Sequence, residues 1–227
     1  MNLSRFATSF TKLITPPVRK GPMVGLDFNH SLLLALELEP KGNRHLLSRL
    51  ARASVPKDAK PVAKEAADLL EQAKLPTASV AIALSGSMVL VRFIQYPRMT
   101  LAELKNSMQY EIEKYIPFQA SDMIADFHIL PETDGDKKTM KVILVAAKKT
   151  EVLGLIEAFQ KTHLKIRVID IHPLACYNAF AHAGLAHQEP GATLLDVGQE
   201  TSSLLILSGE QPVFIREISL GSHEIVE

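Results

Sequence analysis

Hydrophobic positions along this chain alternate between strand-like and helix-like spacing, and their order predicts an α/β fold. Apolar runs bounded by turn-forming residues predict three successive strands near 22–29, 31–39 and 44–55, paired as a meander. A helix from Pro61 to Lys74 follows, with its apolar side chains on one face. The next strand, 79–84, is apolar throughout, as expected of a strand covered on both sides.

A second group of elements begins near Val89 and reads as an inserted subdomain. Its pattern predicts a strand ending at Pro97, a helix from Thr100 to Tyr115, strands over 124–130 and 140–147, a helix over 150–162 and a strand over 165–171. Thr100 followed by Glu103 has the spacing of a capping box, which fixes where that helix begins.

A third group closes the chain. It consists of a helix over 173–186, strands over 193–197, 202–207 and 212–219, and a turn that enters a helix after Gly221. Three strands without a covering helix cannot bury a sheet face, so we expect either that the cover comes from elsewhere or that the chain is part of a longer one.

Composition narrows the class of protein. The 227 residues are 47% hydrophobic, and 25 basic residues balance 25 acidic ones, so no overall charge favours nucleic acid. The single cysteine, Cys176, fits a reducing compartment and reads as a small core residue. No apolar run approaches the roughly 20 residues that cross a bilayer, and we expect a cytoplasmic protein. The histidines show no zinc-type spacing with cysteine; this holds for His163, His172, His182 and His187.

The first twenty residues place basic side chains around an apolar helical face formed by Leu3, Phe6, Phe10, Leu13 and Ile14. Such a segment can lie on an anionic membrane surface or dock on a partner, and an unstructured tail is the alternative.

Two distant segments share one pattern: a strand, a carboxylate, a tight turn and a second strand. Asp27 ends the first such strand and Asp196 the second. Turn amides bind phosphate oxygens, and carboxylates hold the waters of a magnesium ion. Two such turns facing each other would bind a polyphosphate with its metal; the alternative is that each carboxylate satisfies only its own turn amides.

The segment that ends in Tyr-Ile-Pro-Phe at 115–118 is the most specific feature of the chain. Together with the two Asp turns and the insertion, it resembles the actin-like ATPase superfamily and, within it, the type IV pilus assembly protein PilM family, relatives of the cell-division protein FtsA. The residues that carry the resemblance are Met108 to Phe118, Asp126 to Leu130, Ile143 to Lys148, Val168 to Ile171 and Ile218 to Gly221.

The resemblance implies an α/β fold with an actin-like ATPase (ribonuclease H-like) core and an inserted subdomain like the 1C subdomain of FtsA. The expected parts are a basic amphipathic tail at 1–21, a first-lobe core at 22–88 plus 172–190, an inserted subdomain at 89–171, and the start of an incomplete second lobe at 191–227.

The resemblance also implies a nucleotide site with ATP and magnesium in full-length relatives. The first phosphate turn would comprise Asp27, Asn29, His30 and Ser31, and the second Asp196, Gly198 and Ser202, with Asp27 and Asp196 holding the metal through water. This chain departs from the family pattern at Asn29 and Leu34, where Gly and Lys are common, and at Ser202, where Thr is common. Loss of the lysine removes a point charge, and the adenosine-binding glycines of the superfamily come later than residue 227, so we expect this chain to bind ATP weakly or not at all.

The function that the resemblance implies is a cytoplasmic scaffold, peripheral to the inner membrane. It would bind the cytoplasmic tail of an inner-membrane protein of the PilN type, in the groove between the core and the inserted subdomain, and would meet other pilus assembly proteins or its own copies. One alternative is a nucleotide-free adaptor of type II secretion resembling GspL; the other is an ATP-hydrolysing enzyme resembling FtsA or a sugar kinase. An enzyme needs a catalytic carboxylate and a substrate loop at the cleft, and no strong candidate is found in the sequence.

Overall fold

The computed structural model describes residues 21–29, 32–42, 44–55, 62–85, 89–131, 138–187 and 190–225. The basic amphipathic tail predicted at 1–21 lies outside the described residues except for Gly21, and His30 and Ser31 of the first turn also lie outside them.

The first sheet has five strands in the order β3-β2-β1-β4-β8. Its strands are β1 (Met23–Asn29), β2 (Leu32–Lys41), β3 (Arg44–Ser54), β4 (Val80–Leu84) and β8 (Ile166–Ile171). β1, β2 and β3 form the antiparallel meander that the sequence predicts, while β4 runs parallel to both β1 and β8. Parallel strands need a crossover connection, and α1 (Ala63–Gln72) supplies the one between β3 and β4.

One face of the first sheet is covered by α1 and α3 (Lys149–Gln160). Leu33 and Val24 project from the strands into this core, and Leu70 of α1 and Phe159 of α3 pack against them; all four are at most 1% exposed. Because both helices carry an apolar stripe, the strands beneath them need few polar residues.

The middle sheet is a separate three-stranded antiparallel unit in the order β5-β7-β6. It consists of β5 (Val89–Pro97), β6 (Met123–Ile129) and β7 (Thr139–Lys148), with α2 (Leu101–Glu111) packed on one face through Leu104 and Met108. The predicted capping box is confirmed: the Glu103 amide donates to the Thr100 hydroxyl, and the Glu103 carboxylate accepts from the Thr100 amide.

The inserted unit is smaller than the predicted 89–171. β8 pairs in parallel with β4 inside the first sheet, and Phe159 of α3 lies in the first-sheet core. The insertion therefore comprises β5, α2, β6 and β7, and the chain returns to the core at α3. The prediction was wrong here because parallel pairing between β4 and β8 leaves no local signature in either segment.

The last sheet is antiparallel in the order β11-β10-β9. Its strands are β9 (Gly191–Val197), β10 (Ser202–Ser208) and β11 (Gln211–Ile218), followed by α5 (Ser222–Ile225). Leu205 and Leu207 of β10 face a core shared with α4 (His172–His182) and with Ile143 and Val145 of β7. The expected cover for this sheet face is thus supplied within the chain, by α4 and the middle sheet.

Within the described residues, none of the helices is both long enough and apolar enough to span a membrane.

Candidate functional site

Asp27 lies near the end of β1, where its side chain is exposed. Its cross-strand partner on β2 is Leu34, the position at which the resemblance implies a lysine. Residues directly opposite on antiparallel strands project to the same face of the sheet. The carboxylate of Asp27 therefore has an apolar cross-strand neighbour.

Asp196 lies near the end of β9 in the last sheet and meets α4 of the first lobe. Its Oδ2 atom is 3.7 Å from Nδ1 of His172, the first residue of α4. The His172 side chain is 24% exposed and that of Asp196 is 51% exposed, so the pair is partly open to solvent. We call this region, where the last sheet meets the start of α4, the cleft. A protonated imidazole at this distance would form an ion pair that joins the two lobes.

Cys176 lies close to His172 and to the carboxylates of this region. The thiol is half-buried, and its sulfur lies 3.8 Å from Nε2 of His172. Burial raises the pKa of Cys176 to about 11, with further increases from the negative charges of Asp196, Asp27 and Asp170. Because each of these carboxylates acts on the same thiol, Asp27 of the first sheet and Asp196 of the last sheet both lie in the neighbourhood of Cys176.

Asp170 is the buried member of this group, at 7% exposure near the end of β8. Burial raises the pKa of Asp170 to about 7, and the hydrogen bond from the Ile171 amide to its Oδ1 opposes that shift. A carboxyl group with this pKa is partly protonated at neutral pH, which limits the negative charge at the base of the cleft.

The hydrogen-bond donors of the second turn are bonded to backbone carbonyls of the protein. The Gly198 amide donates to the Thr201 carbonyl over 3.0 Å, which closes the hairpin between β9 and β10. The Ser202 hydroxyl is buried and donates to the Leu220 carbonyl over 2.6 Å. In this arrangement neither donor points to a bound phosphate.

A magnesium nucleotide therefore fits the residues in part. Asp27 and Asp196 offer two exposed carboxylates, the donor type that holds a magnesium ion's waters. The Gly198 amide and the Ser202 hydroxyl are occupied by the protein itself. Among the residues that the structure describes, no group of three or more His, Cys, Asp and Glu is arranged to hold a metal ion directly.

The predicted site residues divide into three groups. Asp27 and Asp196 both lie in the neighbourhood of Cys176, and Gly198 and Ser202 lie in the second turn. Asn29 is the last residue of β1, while His30 and Ser31 lie outside the described part of the chain. Their assignment to a nucleotide site remains a prediction.

Sequence reasoning did not assign His172, Cys176 or Asp170 to the cleft. A signal was present: His172 and Cys176 are four residues apart, which places them on the same face of a helix that directly follows a strand ending in Asp170 and Ile171.

A second feature is a groove of about 340 Å³ between the middle and last sheets. β5 and β11 are edge strands of their sheets, and they face each other across this groove. The β8–α4 junction forms its floor through Ile171 and Pro173. The groove is lined by Val89, Leu90, Val91, Arg92, Ile171, Pro173, Thr201, Ile215, Arg216, Glu217, Ile218 and Ser219.

The groove lining is largely apolar and carries two arginines and one glutamate, Glu217. Val91 and Ile218 supply apolar surface from opposite walls, and Ile218 is 42% exposed. The exposed side chains of Arg92 and Arg216 stand on the two walls. Edge strands present unpaired backbone donors and acceptors, so this groove has the chemistry needed to hold an extended peptide.

Comparison with known proteins gives the family. Residues 25–227 match the family described as type IV pilus assembly protein PilM. The chain belongs to the PilM family. The match begins just before the first Asp turn and includes the insertion and the last sheet, so it covers the cleft and the groove alike.

Solved structures agree with the PilM assignment. The chain superposes on a structure described as a PilM–PilN type IV pilus biogenesis complex with a TM-score of 0.77 and 28% sequence identity, covering 92% of this chain and 64% of that one. The chain thus spans a little under two thirds of that relative's length. The chain therefore has an actin-like α/β fold.

More distant structures share the fold alone. The cytoplasmic domain of EpsL, an inner-membrane component of the type II secretion system of Vibrio cholerae, matches with a TM-score of 0.54 and 13% identity over 88% of this chain and 71% of that one. A Bacteroides thetaiotaomicron protein with an actin-like ATPase fold and unknown function matches with a TM-score of 0.50 and 9% identity, over 91% of this chain and 73% of that one.

Proposed function

We propose that this PilM-family chain is a scaffold component of type IV pilus assembly that binds the cytoplasmic tail of a PilN-type inner-membrane protein. The observation that carries the proposal is the similarity to the PilM–PilN complex over 92% of this chain. The protein would work in the cytoplasm, held at the inner membrane by its partner, and would meet other inner-membrane assembly proteins through that complex.

The groove between β5 and β11 is the binding site that we assign to the tail. An extended peptide placed there would add a strand to either edge, and its alternate side chains would meet the apolar residues on the walls. Two arginines on opposite walls favour a tail that offers carbonyl or carboxylate oxygens between its apolar side chains. Because the floor belongs to the β8–α4 junction, a bound tail would contact the core and the inserted unit together.

The cleft has a separate role in the proposal. In a longer protein Asp27 and Asp196 would hold a magnesium ion through its waters, beside the nucleotide that such an ion accompanies. For the chain described here we propose a scaffold without enzymatic activity, in which the cleft carboxylates organise the contact between the lobes through His172.

A titration with a tail peptide tests the proposal. A synthetic peptide with the sequence of the cytoplasmic tail of the PilN-type protein from the same organism should bind the folded protein, with one peptide per chain. Replacing Ile218 with Glu puts a charge on the apolar wall of the groove, and we expect the Ile218→Glu variant to bind roughly tenfold or more weakly because a buried charge is expensive to desolvate.

Val213→Glu is the matched control. Val213 lies on the same strand, has nearly the same exposure (40% against 42%) and does not line the groove. It should leave peptide affinity unchanged. Equal peptide affinity in the two variants would show that the groove is not the binding site. Failure of the wild-type protein to bind any tail peptide would contradict the scaffold proposal itself.

A further inference from the structure

The edge of the first sheet carries three exposed leucines. β3 is an edge strand of this sheet and pairs with β2. On β3, Leu46 is 45% exposed, Leu47 59% and Leu50 65%. Large apolar side chains that lie exposed side by side mark a surface for docking on a protein or a membrane.

Two of these leucines extend an apolar face across the meander. Leu47 lies opposite Leu38, which in turn lies opposite Met23 of β1. Leu50 lies opposite Leu36 in the next row. Opposite residues project to the same face of a sheet, and along β2 this face alternates with the one that packs against α1 and α3. The two leucines of β3 therefore belong to the face of the first sheet that is turned away from α1 and α3.

α4 reaches this second face but leaves the leucines open. His45 lies opposite Pro40, two residues along β2 from Leu38, so it belongs to the same face. His182, the last residue of α4, is hydrogen-bonded to His45 over 3.4 Å. Leu47 follows His45 by two residues and still has more than half of its surface exposed. The apolar surface of β3 is therefore accessible beside the end of α4.

Positive charge is concentrated in the same part of the chain. Residues 1–54 contain eight basic and three acidic residues, although the whole chain has 25 of each. Lys41, Arg44 and Arg52 are exposed on the β2–β3 hairpin. Four further basic residues precede β1 in the sequence, with no acidic residue among them. The leucines are thus flanked by cations in a chain whose overall charge is zero.

The acidic residues of this stretch do not cancel the excess. Glu37 is buried and paired with Arg49. Asp27 shares a cross-strand row with Arg52 through Leu34, so one cation offsets it. α1, with its own acidic residues, lies on the other side of the sheet. The remaining charge favours a negatively charged partner over a neutral one.

We propose that the β3 edge docks on an anionic lipid membrane. Leucines would enter the interfacial layer while the cations of the hairpin meet lipid phosphates. The unpaired backbone groups of an edge strand need hydrogen-bond partners, which water and lipid headgroups supply, so the contact stays at the level of the interface. This goes beyond the proposed function, in which the partner's tail alone holds the protein at the membrane.

Co-sedimentation with protein-free vesicles tests the proposal. The wild-type chain should bind vesicles of phosphatidylglycerol and phosphatidylethanolamine. It should bind vesicles of phosphatidylcholine alone roughly tenfold or more weakly, because these carry no net negative charge. Added sodium chloride should weaken binding to the anionic vesicles, since salt screens the attraction. No partner peptide is present, so the result is independent of the peptide titration described above.

Leu47→Glu tests the apolar part of the surface. It should weaken binding to the anionic vesicles roughly tenfold or more, because a carboxylate replaces an apolar group at the interface and is repelled by lipid phosphates. Leu195→Glu is the matched control: Leu195 is 61% exposed, against 59% for Leu47, and lies on β9, an edge strand of the last sheet. It should bind vesicles as the wild type does, and circular dichroism should show that both variants are folded.

Arg44→Gln tests the charged part. Removal of this cation should weaken binding to the anionic vesicles roughly fivefold. Lys105→Gln removes one exposed positive charge from α2 in the middle unit and should leave binding unchanged. Equal affinities in these two variants would contradict the role of the hairpin cations.

Two further results would overturn the proposal as a whole. Wild-type protein that does not sediment with the anionic vesicles, or that binds them no better than phosphatidylcholine vesicles, would leave a protein partner as the occupant of this surface. Equal affinities of Leu47→Glu and Leu195→Glu would show that any lipid contact is made by another part of the chain.

Discussion

The side chain of Glu37 shows how a charged residue is accommodated in the first-sheet core. It is 1% exposed, and its Oε2 atom accepts hydrogen bonds from Arg49 Nε and from the Ser48 hydroxyl, each over 2.8 Å. The Arg49 guanidinium also donates to the Lys74 carbonyl, two residues beyond the end of α1. A buried carboxylate needs this compensation, since an unpaired charge in the core is strongly destabilising.

Removal of Arg49 should therefore destabilise the fold. We expect Arg49→Ala to lower the free energy of unfolding by about 2 kcal/mol, below the range for fully buried pairs because the Arg49 side chain is 48% exposed. Urea denaturation at neutral pH measures the change.

Arg52→Ala is the control on the same strand, since Arg52 is exposed. Its effect should stay within about 0.5 kcal/mol. A Glu37→Met/Arg49→Met double variant should recover part of the loss, because both charges leave the core together. Equal stability of Arg49→Ala and Arg52→Ala would mean that Glu37 finds another partner.

Residues with candidate chemistry were easier to predict from the sequence than the residues to which they are hydrogen-bonded. Asp27 and Asp196 were recognisable because each follows an apolar strand and precedes a turn. The bond from Ser202 to the Leu220 carbonyl could not be anticipated, because it depends on how the chain after β11 folds back onto the turn. That return needs Gly221, where a Cβ atom would lie 2.1 Å from the Gln199 carbonyl oxygen.

Among the elements, α2 has a start that can be tested directly. Thr100 accepts a hydrogen bond from the Glu103 amide, which satisfies one of the free donors at the helix N-terminus. Thr100→Ala should reduce the free energy of unfolding by about 1 kcal/mol. Thermal denaturation at neutral pH measures it, and a variant as stable as the wild type would show that the cap contributes nothing.

The other half of this cap should respond to pH. Hydrogen bonds from the Thr100 amide and hydroxyl lower the pKa of Glu103 below its ordinary value of 4.5. A carboxyl group with a lowered pKa in the folded state stabilises the protein above the ordinary value, and this contribution is lost as the pH falls through the folded-state pKa. The stability difference between wild type and Glu103→Ala should thus be largest near pH 7 and shrink below about pH 4.

Glu151→Ala is the matched comparison, since Glu151 lies in the first turn of α3 without a side-chain cap. Its stability difference from the wild type should vary less with pH over the same range. A Glu103→Ala difference that stays constant down to pH 3 would contradict the assignment.

Residues at the end of α2, in the segment that carries the family resemblance, make hydrogen bonds that stabilise the fold. The Tyr96 hydroxyl of β5 donates to the Glu111 carboxylate at the end of α2 and also bonds with Ser107. Glu113 points elsewhere and accepts the Ala120 amide over 2.9 Å. The two glutamates therefore fix the helix and the loop after it.

Elements with a local signal were predicted well, and those defined by distant pairing were not. Strand alternation and the capping box placed α2 and the first meander close to their observed bounds. The end of the insertion was misplaced, because only the pairing of β4 with β8 shows that the chain has re-entered the first sheet. The groove was equally hidden, since it requires the edges of two different sheets to face each other.

For the molecule as a whole, α4 is the element around which the lobes meet. Leu174 and Tyr177 pack in the core shared with the middle and last sheets, and the Tyr177 hydroxyl donates to the Glu210 carbonyl over 2.7 Å. The first residue of the same helix, His172, faces Asp196 across the cleft. The cleft and the floor of the groove therefore both belong to the start of α4, so a tail bound in the groove would lie next to the cleft carboxylates.

Nucleotide binding by this chain would depend on the two Asp turns. We expect calorimetry with ATP and magnesium to give weak or undetectable binding, because the Ser202 hydroxyl and Gly198 amide are occupied and Leu34 stands opposite Asp27. Leu34→Lys places a cation beside Asp27 and should increase ATP affinity over the wild type. Leu47→Lys is the control, since Leu47 is an exposed leucine of β3 in the same sheet but pairs with Leu38, away from the first turn, and it should bind ATP like the wild type. A micromolar dissociation constant for the wild-type chain would contradict the prediction, and equal affinities in the two lysine variants would show that the charge opposite Asp27 does not limit binding.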